Sequence, residues 1–192
     1  MELGTQLKMI QAQRIIPAAR KLKDLEKLWE MDYKTIILLD SHINQLKSIV
    51  GSTQKHGKRI LVHLDLVQGL KSDEFGAEFV SQTIRPDGVI TTRGSTVPKI
   101  KQNKLISVQR MFLLDSSALQ KAIRLVEKTK PDVIEVLPGV IPHMIEKVHQ
   151  ETRLPVIAGG LIETQEQIEQ ALEAGAAAVT TSRVELWKAY HP

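Results

Sequence analysis

The amino-acid sequence predicts an α/β fold, a compact (β/α)8 TIM-type barrel with parallel strands, and three observations carry that prediction. Apolar runs of strand length alternate with amphipathic stretches of helix length along the chain, the pattern of a parallel sheet with crossover helices. The strand-like runs number about eight, the barrel number. The last two end in sequences suited to an anion: Gly159-Gly160 follows the run 155–158, and Thr181-Ser182 closes the run 177–182. A (β/α)8 barrel builds its phosphate site from the loops after those two strands.

In chain order, residues 14–18 form the first strand and lead to a helix over 24–31. Strand 35–40 leads to helix 44–56, strand 59–65 to helix 73–84, and strand 88–92 to a short or irregular piece near 97–102. Strand 106–113 precedes helix 117–130, and strand 132–137 precedes helix 142–151. Strand 155–158 precedes helix 165–174, and strand 177–182 precedes a last helix over 183–190. Thr164 followed by Gln167 reads as a capping box, Ser117 with Gln120 repeats the device, and Gly175 stands where a left-handed residue ends a helix. Dividing 192 residues by eight gives 24 per unit, so the loops must be short.

Composition narrows the class. A chain of 192 residues with 42% hydrophobic content suits one domain, residues 1–192, with one well-buried core. With no cysteine there is no disulfide, thiolate zinc site or cysteine nucleophile. The N-terminus carries an early acid, Glu2, and no sustained apolar region, and no later stretch reaches the roughly 18 apolar residues of a membrane span. A cytoplasmic protein with no membrane partner is expected. The formal charge of +4 favours polyanions only weakly. Between Asp87 and Asp115, however, there is no acid, while Arg93, Lys99, Lys101, Lys104 and Arg110 all fall there. That interval is either a solvated basic loop or a patch that meets RNA or phosphate.

Strand parity places the polar residues. In the run 59–65, Leu61, His63 and Asp65 share one face and Ile60, Val62 and Leu64 the other, so the first set points into the barrel and His63 and Asp65 approach its mouth. The same argument brings Asp40, Arg110 and Glu135 to the pocket, where polar groups from strand ends usually converge. Each has a plainer reading: His63 as a hydrogen-bonded core residue, Asp40 as a strand terminator, Glu135 as the buried partner of Arg110. For Gly159-Gly160 the plainer reading is weaker, since a tight turn needs only one glycine. His42, His56, His143, His149 and His191 show no metal spacing, and no metal or catalytic residue is assigned.

The segments Val108-Gln109-Arg110-Met111-Phe112-Leu113-Leu114-Asp115-Ser116, Ile134-Glu135-Val136-Leu137-Pro138-Gly139, Pro155-Val156-Ile157-Ala158-Gly159-Gly160-Leu161-Ile162 and His63-Leu64-Asp65 together resemble the glycerol uptake operon antiterminator regulatory proteins. The likeness runs from Arg14-Ile15-Ile16-Pro17-Ala18 to Thr181-Ser182. It implies a bacterial cytoplasmic regulator that binds glycerol 3-phosphate as effector, with no cofactor, and acts on leader mRNA of glycerol utilisation genes to prevent termination. On that reading Gly159, Gly160, Thr181, Ser182 and Arg110 hold the phosphate. Asp40, His63, Asp65 and Glu135 meet the polyol end, and Arg93, Lys99, Lys101 and Lys104 are the first candidates for RNA contact. The alternative from the residues alone is a phosphosugar isomerase, epimerase or aldolase-like barrel enzyme, using His63, Asp65, Asp40 and Glu135 as an acid/base or metal set. Against it, no lysine stands at a strand end for a Schiff base. A ligand-binding homo-oligomer that signals through protein contacts is a third reading, with no feature fixing its stoichiometry.

Overall fold

Eight parallel strands close into one barrel in the computed structural model, which describes residues 3–190. Met1, Glu2, His191 and Pro192, and with them the acid of the N-terminal reading and one unassigned histidine, lie outside the described residues. The strands are β1 (Ile15–Ala19), β2 (Thr35–Leu38), β3 (Arg59–His63), β4 (Gly88–Thr91), β5 (Ile106–Phe112), β6 (Val133–Leu137), β7 (Val156–Gly159) and β8 (Ala178–Thr181). Each pairs with its neighbours in sequence, and β8 pairs with β1 to complete the ring. The (β/α)8 fold is thus the one the alternation predicts.

Successive side chains of a strand point to opposite faces, and both faces here are buried. Ile16, Ile37, Leu61, Ile90, Val108 and Ile157 fill the interior. Ile15, Ile36, Ile60, Val89, Ile134 and Val179 pack outward against the helices. Those helices are α1 (Leu3–Gln13), α2 (Leu22–Glu30), α3 (Ile43–Lys55), α4 (Glu74–Phe79), α5 (Val97–Gln102), α6 (Ser116–Thr129), α7 (Pro142–Thr152), α8 (Gln165–Glu173) and α9 (Val184–Ala189). Leu25 and Leu28 of α2 show the pattern: both are fully buried from one helical face, each stabilising by about 1.5–3 kcal/mol.

The differences from expectation have local causes. Helix α1 precedes the first element that the alternation predicts; its Ile10 joins the interior cluster, and Gln13 at its end ties β1 to β2. The Gln13 side chain donates to the carbonyls of Ile15 and Thr35 and accepts from the amides of Lys34 and Thr35. The helix expected over 73–84 is α4 followed by a π turn, Val80–Ile84. Asp73 caps it by accepting from the Gly76 amide at 2.9 Å. The N-cap of α6 is Asp115, which accepts from the Ala118 amide at 2.7 Å, rather than Ser117. The Thr164–Gln167 capping box of α8 is present in full. Two-residue strands, Ser41–His42 and Val67–Gln68, pair after β2 and β3 at the barrel's C-terminal end. Among the described residues no helix is long and apolar enough to cross a membrane.

Candidate functional site

At the end of the barrel where the strands finish, the turns after β7 and β8 come together around a cavity of about 320 Å³. Gly160, Leu161, Ile162 and Glu163 line it from one turn, Thr181, Ser182 and Arg183 from the other, and Ala18 and Arg20 from the end of β1. This is the convergence on which a phosphate reading depends. At Gly160 the backbone turns through a φ of +75°, which favours glycine, and a Cβ there would stand 3.1 Å from Leu137 Cδ2, close enough that the leucine side chain would have to shift.

Three arginines border the cavity, each with a carboxylate already on it. Arg20 Nη1 donates to Asp40 Oδ2 at 2.8 Å, Arg183 is paired with Glu163, and Arg110 Nε donates to Glu135 Oε2 at 2.7 Å. The first two pairs are solvated, with side chains roughly half exposed, whereas the Arg110 and Glu135 side chains are only 11% and 1% exposed. Glu135 Oε1 also accepts from the Thr180 hydroxyl at 3.0 Å, across Gly159. A Cβ on Gly159 would lie 2.4 Å from Thr180 Oγ1 and 2.8 Å from Glu135 Oε1. Gly159 therefore makes room for an internal hydrogen bond and is absent from the cavity wall.

The other candidates are placed as follows. Gly160, Thr181, Ser182, Arg110 and Glu135 border the cavity. The Thr181 hydroxyl is already engaged, donating to the Ile162 carbonyl at 3.1 Å and accepting from the Arg183 amide at 3.2 Å, and Thr180 is the threonine that faces inward. Asp40 stands at the rim on Arg20. Asp65 leaves the face of His63, because β3 ends at His63 and a 3-10 turn, Leu64–Leu66, redirects the chain. Its carboxylate accepts from the Thr91 hydroxyl at 3.1 Å and the Thr92 amide at 2.7 Å, bracing the turn after β4. The basic interval is split. Arg93 follows β4 at the C-terminal end, Lys99 pairs with Glu78, Lys101 pairs with Asp132, and Lys104 lies at the opposite end of the barrel beside a second cavity. Parity reasoning did not select Arg20 and Arg183, although Arg183 directly follows Ser182.

His63 points inward as parity predicts, is 2% exposed, and neither ring nitrogen has a hydrogen-bond partner among the described residues. Burial, and next the Arg110 charge, push its pKa down to about 4, against the pull of Asp65 and Glu135. The ring is neutral at pH 7. Because the unfolded chain takes up the proton near pH 6.5 and the folded one only near 4, the stability this histidine contributes is complete above about pH 6.5. It is lost as pH falls towards 4. A His63→Gln variant should remove up to about 3 kcal/mol of that acid-side loss, read as a flatter urea midpoint between pH 6.5 and 4. An unchanged profile would show that the histidine is solvated.

Among the described residues no group of three or more His, Asp or Glu is placed to hold a metal ion. Residues 15–187 match the family described as glycerol-3-phosphate responsive antiterminator. Among solved structures the chain is similar to the glycerol uptake operon antiterminator regulatory protein from Listeria monocytogenes, 49% identical with a TM-score of 0.90 over 92% of this chain and 95% of that one. It is also similar to a glycerol uptake operon antiterminator-related protein from Thermotoga maritima, 33% identical with a TM-score of 0.80 over 91% of this chain and 97% of the other. Among curated proteins it is 28% identical over 181 residues to the uncharacterized protein YgcP of Escherichia coli, covering 94% of this chain and 95% of that protein.

Proposed function

The chain belongs to the glycerol-3-phosphate responsive antiterminator family, and from that premise we propose that it binds glycerol 3-phosphate in the cavity between the ends of β7, β8 and β1. In the bound state it acts on the leader mRNA of glycerol utilisation genes to prevent termination. The observation that carries the ligand reading is the convergence of Gly160 and Ser182 with Arg20, Arg110 and Arg183 around one small cavity. Its size falls at the lower end of small-ligand sites, roughly 300–1,000 Å³.

The phosphate dianion lies by Gly160 and Ser182, where no Cβ at 160 blocks the approach and the guanidiniums of Arg183 and Arg20 are within the same wall. Both arginines hold exposed carboxylates, which surrender a guanidinium cheaply because solvated ion pairs are weak. The Arg110–Glu135 pair stays intact and presents its outer edge to the glycerol hydroxyls. No residue in this scheme needs to act as nucleophile or base. His63 and Asp65, the acid/base pair of the enzyme reading, turn to different surroundings. Binding changes RNA affinity only to the extent that the ligand prefers the RNA-competent form.

Glycerol 3-phosphate at one hundred times its Kd should add about 2.7 kcal/mol to the stability, a rise in Tm of roughly 5–10 °C for a chain of this size. Glycerol should give none, and Arg183→Ala should lose most of the effect. Equal shifts with glycerol and its phosphate would remove the anion argument. A gel-shift titration of leader RNA with and without the effector tests the second half: affinity should rise with ligand and fall with salt.

A further inference from the structure

The geometry points to the face where the strands begin, opposite the effector cavity, as the surface that receives RNA; the inference rests on the proposed reading of the chain as an RNA-directed regulator. Among the described residues six non-glycine residues have a positive φ, and five of them are cations: Arg14, Arg85, Lys104, Lys130 and Arg153, with φ between 49° and 61°. All five are exposed, and all five stand at the turn between a helix or π turn and the next barrel strand. Glycine suits that left-handed position and an L side chain is strained in it. At the corresponding turns after α3 and α8 the chain does use glycine, Gly57 and Gly175.

The attraction of a cation for the negative end of a helix is the plain explanation for charge near these turns. It does not explain the left-handed position, since a lysine one turn earlier followed by glycine would satisfy the helix without strain. A second observation concerns the charge of the whole face. The turns leading into the barrel strands hold seven lysines and arginines against three aspartates, whereas the turns leaving them hold five of each sign. Two of those three aspartates are occupied internally. Asp87 accepts from the Ile60 amide at 3.0 Å, and Asp132 accepts from the Ser107 amide at 2.9 Å and its hydroxyl at 2.7 Å. Of the seven cations, Arg14 is paired with Glu169 and Lys58 is buried; Lys34, Arg85, Lys104, Lys130 and Arg153 are exposed and give this face the excess of positive charge that a polyanion requires, where the turns of the other face are balanced.

A third observation gives the face a receptor. A cavity of about 380 Å³ opens there; its polar lining is Gln54, Ser81, Gln82, Arg85, Asn103 and Lys104 together with Asp87, whose carboxylate is held by the Ile60 amide and the Gln54 side chain. The Ser81 hydroxyl is buried in a residue only 4% exposed and has no partner among the described residues. The NH2 groups of Gln54, Gln82 and Asn103 already donate within the protein; a backbone phosphate between Arg85 and Lys104, with the amide oxygens and the Ser81 hydroxyl meeting a ribose or an unstacked base edge, fits the chemistry of single-stranded RNA.

The test uses the full chain and a labelled transcript of the leader upstream of the glycerol utilisation genes. The combined variant Lys104→Gly, Lys130→Gly, Arg153→Gly places glycine where the backbone favours it, so the fold is retained. Its Tm should equal or exceed that of the unmodified chain, and its glycerol 3-phosphate shift should be unchanged. Leader affinity should fall tenfold or more, and the slope of log Kd against log salt should drop by about two, the loss of three phosphate contacts. A control variant that removes two cations from the other face, Lys21→Ala with Lys71→Ala, should bind as before. Unchanged leader binding by the glycine variant, or equal weakening by both variants, overturns the assignment. Failure of the unmodified chain to bind the leader at all, with the effector shift intact, sinks the antitermination reading and this face with it.

Discussion

Glu135→Ala is expected to destabilise the protein by about 3–5 kcal/mol, a large part of the 5–15 kcal/mol that typically separates folded from unfolded states. The carboxylate is 1% exposed and takes two hydrogen bonds, from Arg110 Nε at 2.7 Å and from the Thr180 hydroxyl at 3.0 Å. Removing it leaves a guanidinium that is only 11% exposed with no counter-charge. The same loss is expected to push the pKa of His63 further down, because Arg110 already depresses it and Glu135 opposes that effect. Glu135→Gln keeps one acceptor, the amide oxygen for Arg110 Nε, while its NH2 meets the Thr180 hydroxyl, which can turn to accept; it should cost less than Glu135→Ala, about 1–3 kcal/mol. The double variant Arg110→Leu, Glu135→Leu removes both charges and should fold better than Glu135→Ala, since an apolar replacement of a buried pair is often neutral. Urea unfolding of the three variants gives the answer. A loss below about 1 kcal/mol for Glu135→Ala would mean that the pair behaves as a surface ion pair.

That pair also marks the boundary of what the sequence discloses. Strand period alone turns Leu61, His63 and Glu135 inward, because eight apolar runs fix both the closure of the sheet and which face meets the helices. The convergence of Gly160 with Ser182 follows from the same count of strands. Parity fails two residues past a strand end. Asp65 and Asp40 lie beyond the last ladder residues, where a 3-10 turn and the rim set the direction instead. Gly159 looks like part of an anion turn in one dimension, and only the neighbouring Thr180 and Glu135 show that it yields space to a hydrogen bond. The split of the basic interval is similarly invisible, since Arg93 and Lys104 are close in sequence but α5 separates them along the height of the barrel. The left-handed cations are five single residues scattered over the chain, with no shared motif until the fold gathers their turns on one face.

Gly139→Ala should lower stability by about 3 kcal/mol, at the upper end of overpacking effects, and should weaken glycerol 3-phosphate binding tenfold or more. Gly139 is buried in the turn after β6 and donates its amide to the Gly159 carbonyl at 2.6 Å and the Gly160 carbonyl at 3.1 Å. An added Cβ would lie 2.6 Å from Gly159 N and 2.8 Å from the Ala158 carbonyl carbon. Both are backbone atoms of β7, so relief requires the strand end and the turn bearing Gly160 to move, and that turn is one wall of the effector cavity. Chain entropy works in the opposite direction, because alanine restricts the unfolded state. Gly51→Ala isolates that term. Gly51 is inside α3 with nothing within 4 Å of its added Cβ, so the substitution should stabilise by about 0.5–1 kcal/mol and leave effector affinity unchanged. Opposite signs for one chemical change, with affinity falling only at 139, would tie the backbone of β6 to the anion turn. Equal effects at the two positions, or a Gly139→Ala protein that binds the effector normally, would show that the turn after β7 holds its shape without the close approach.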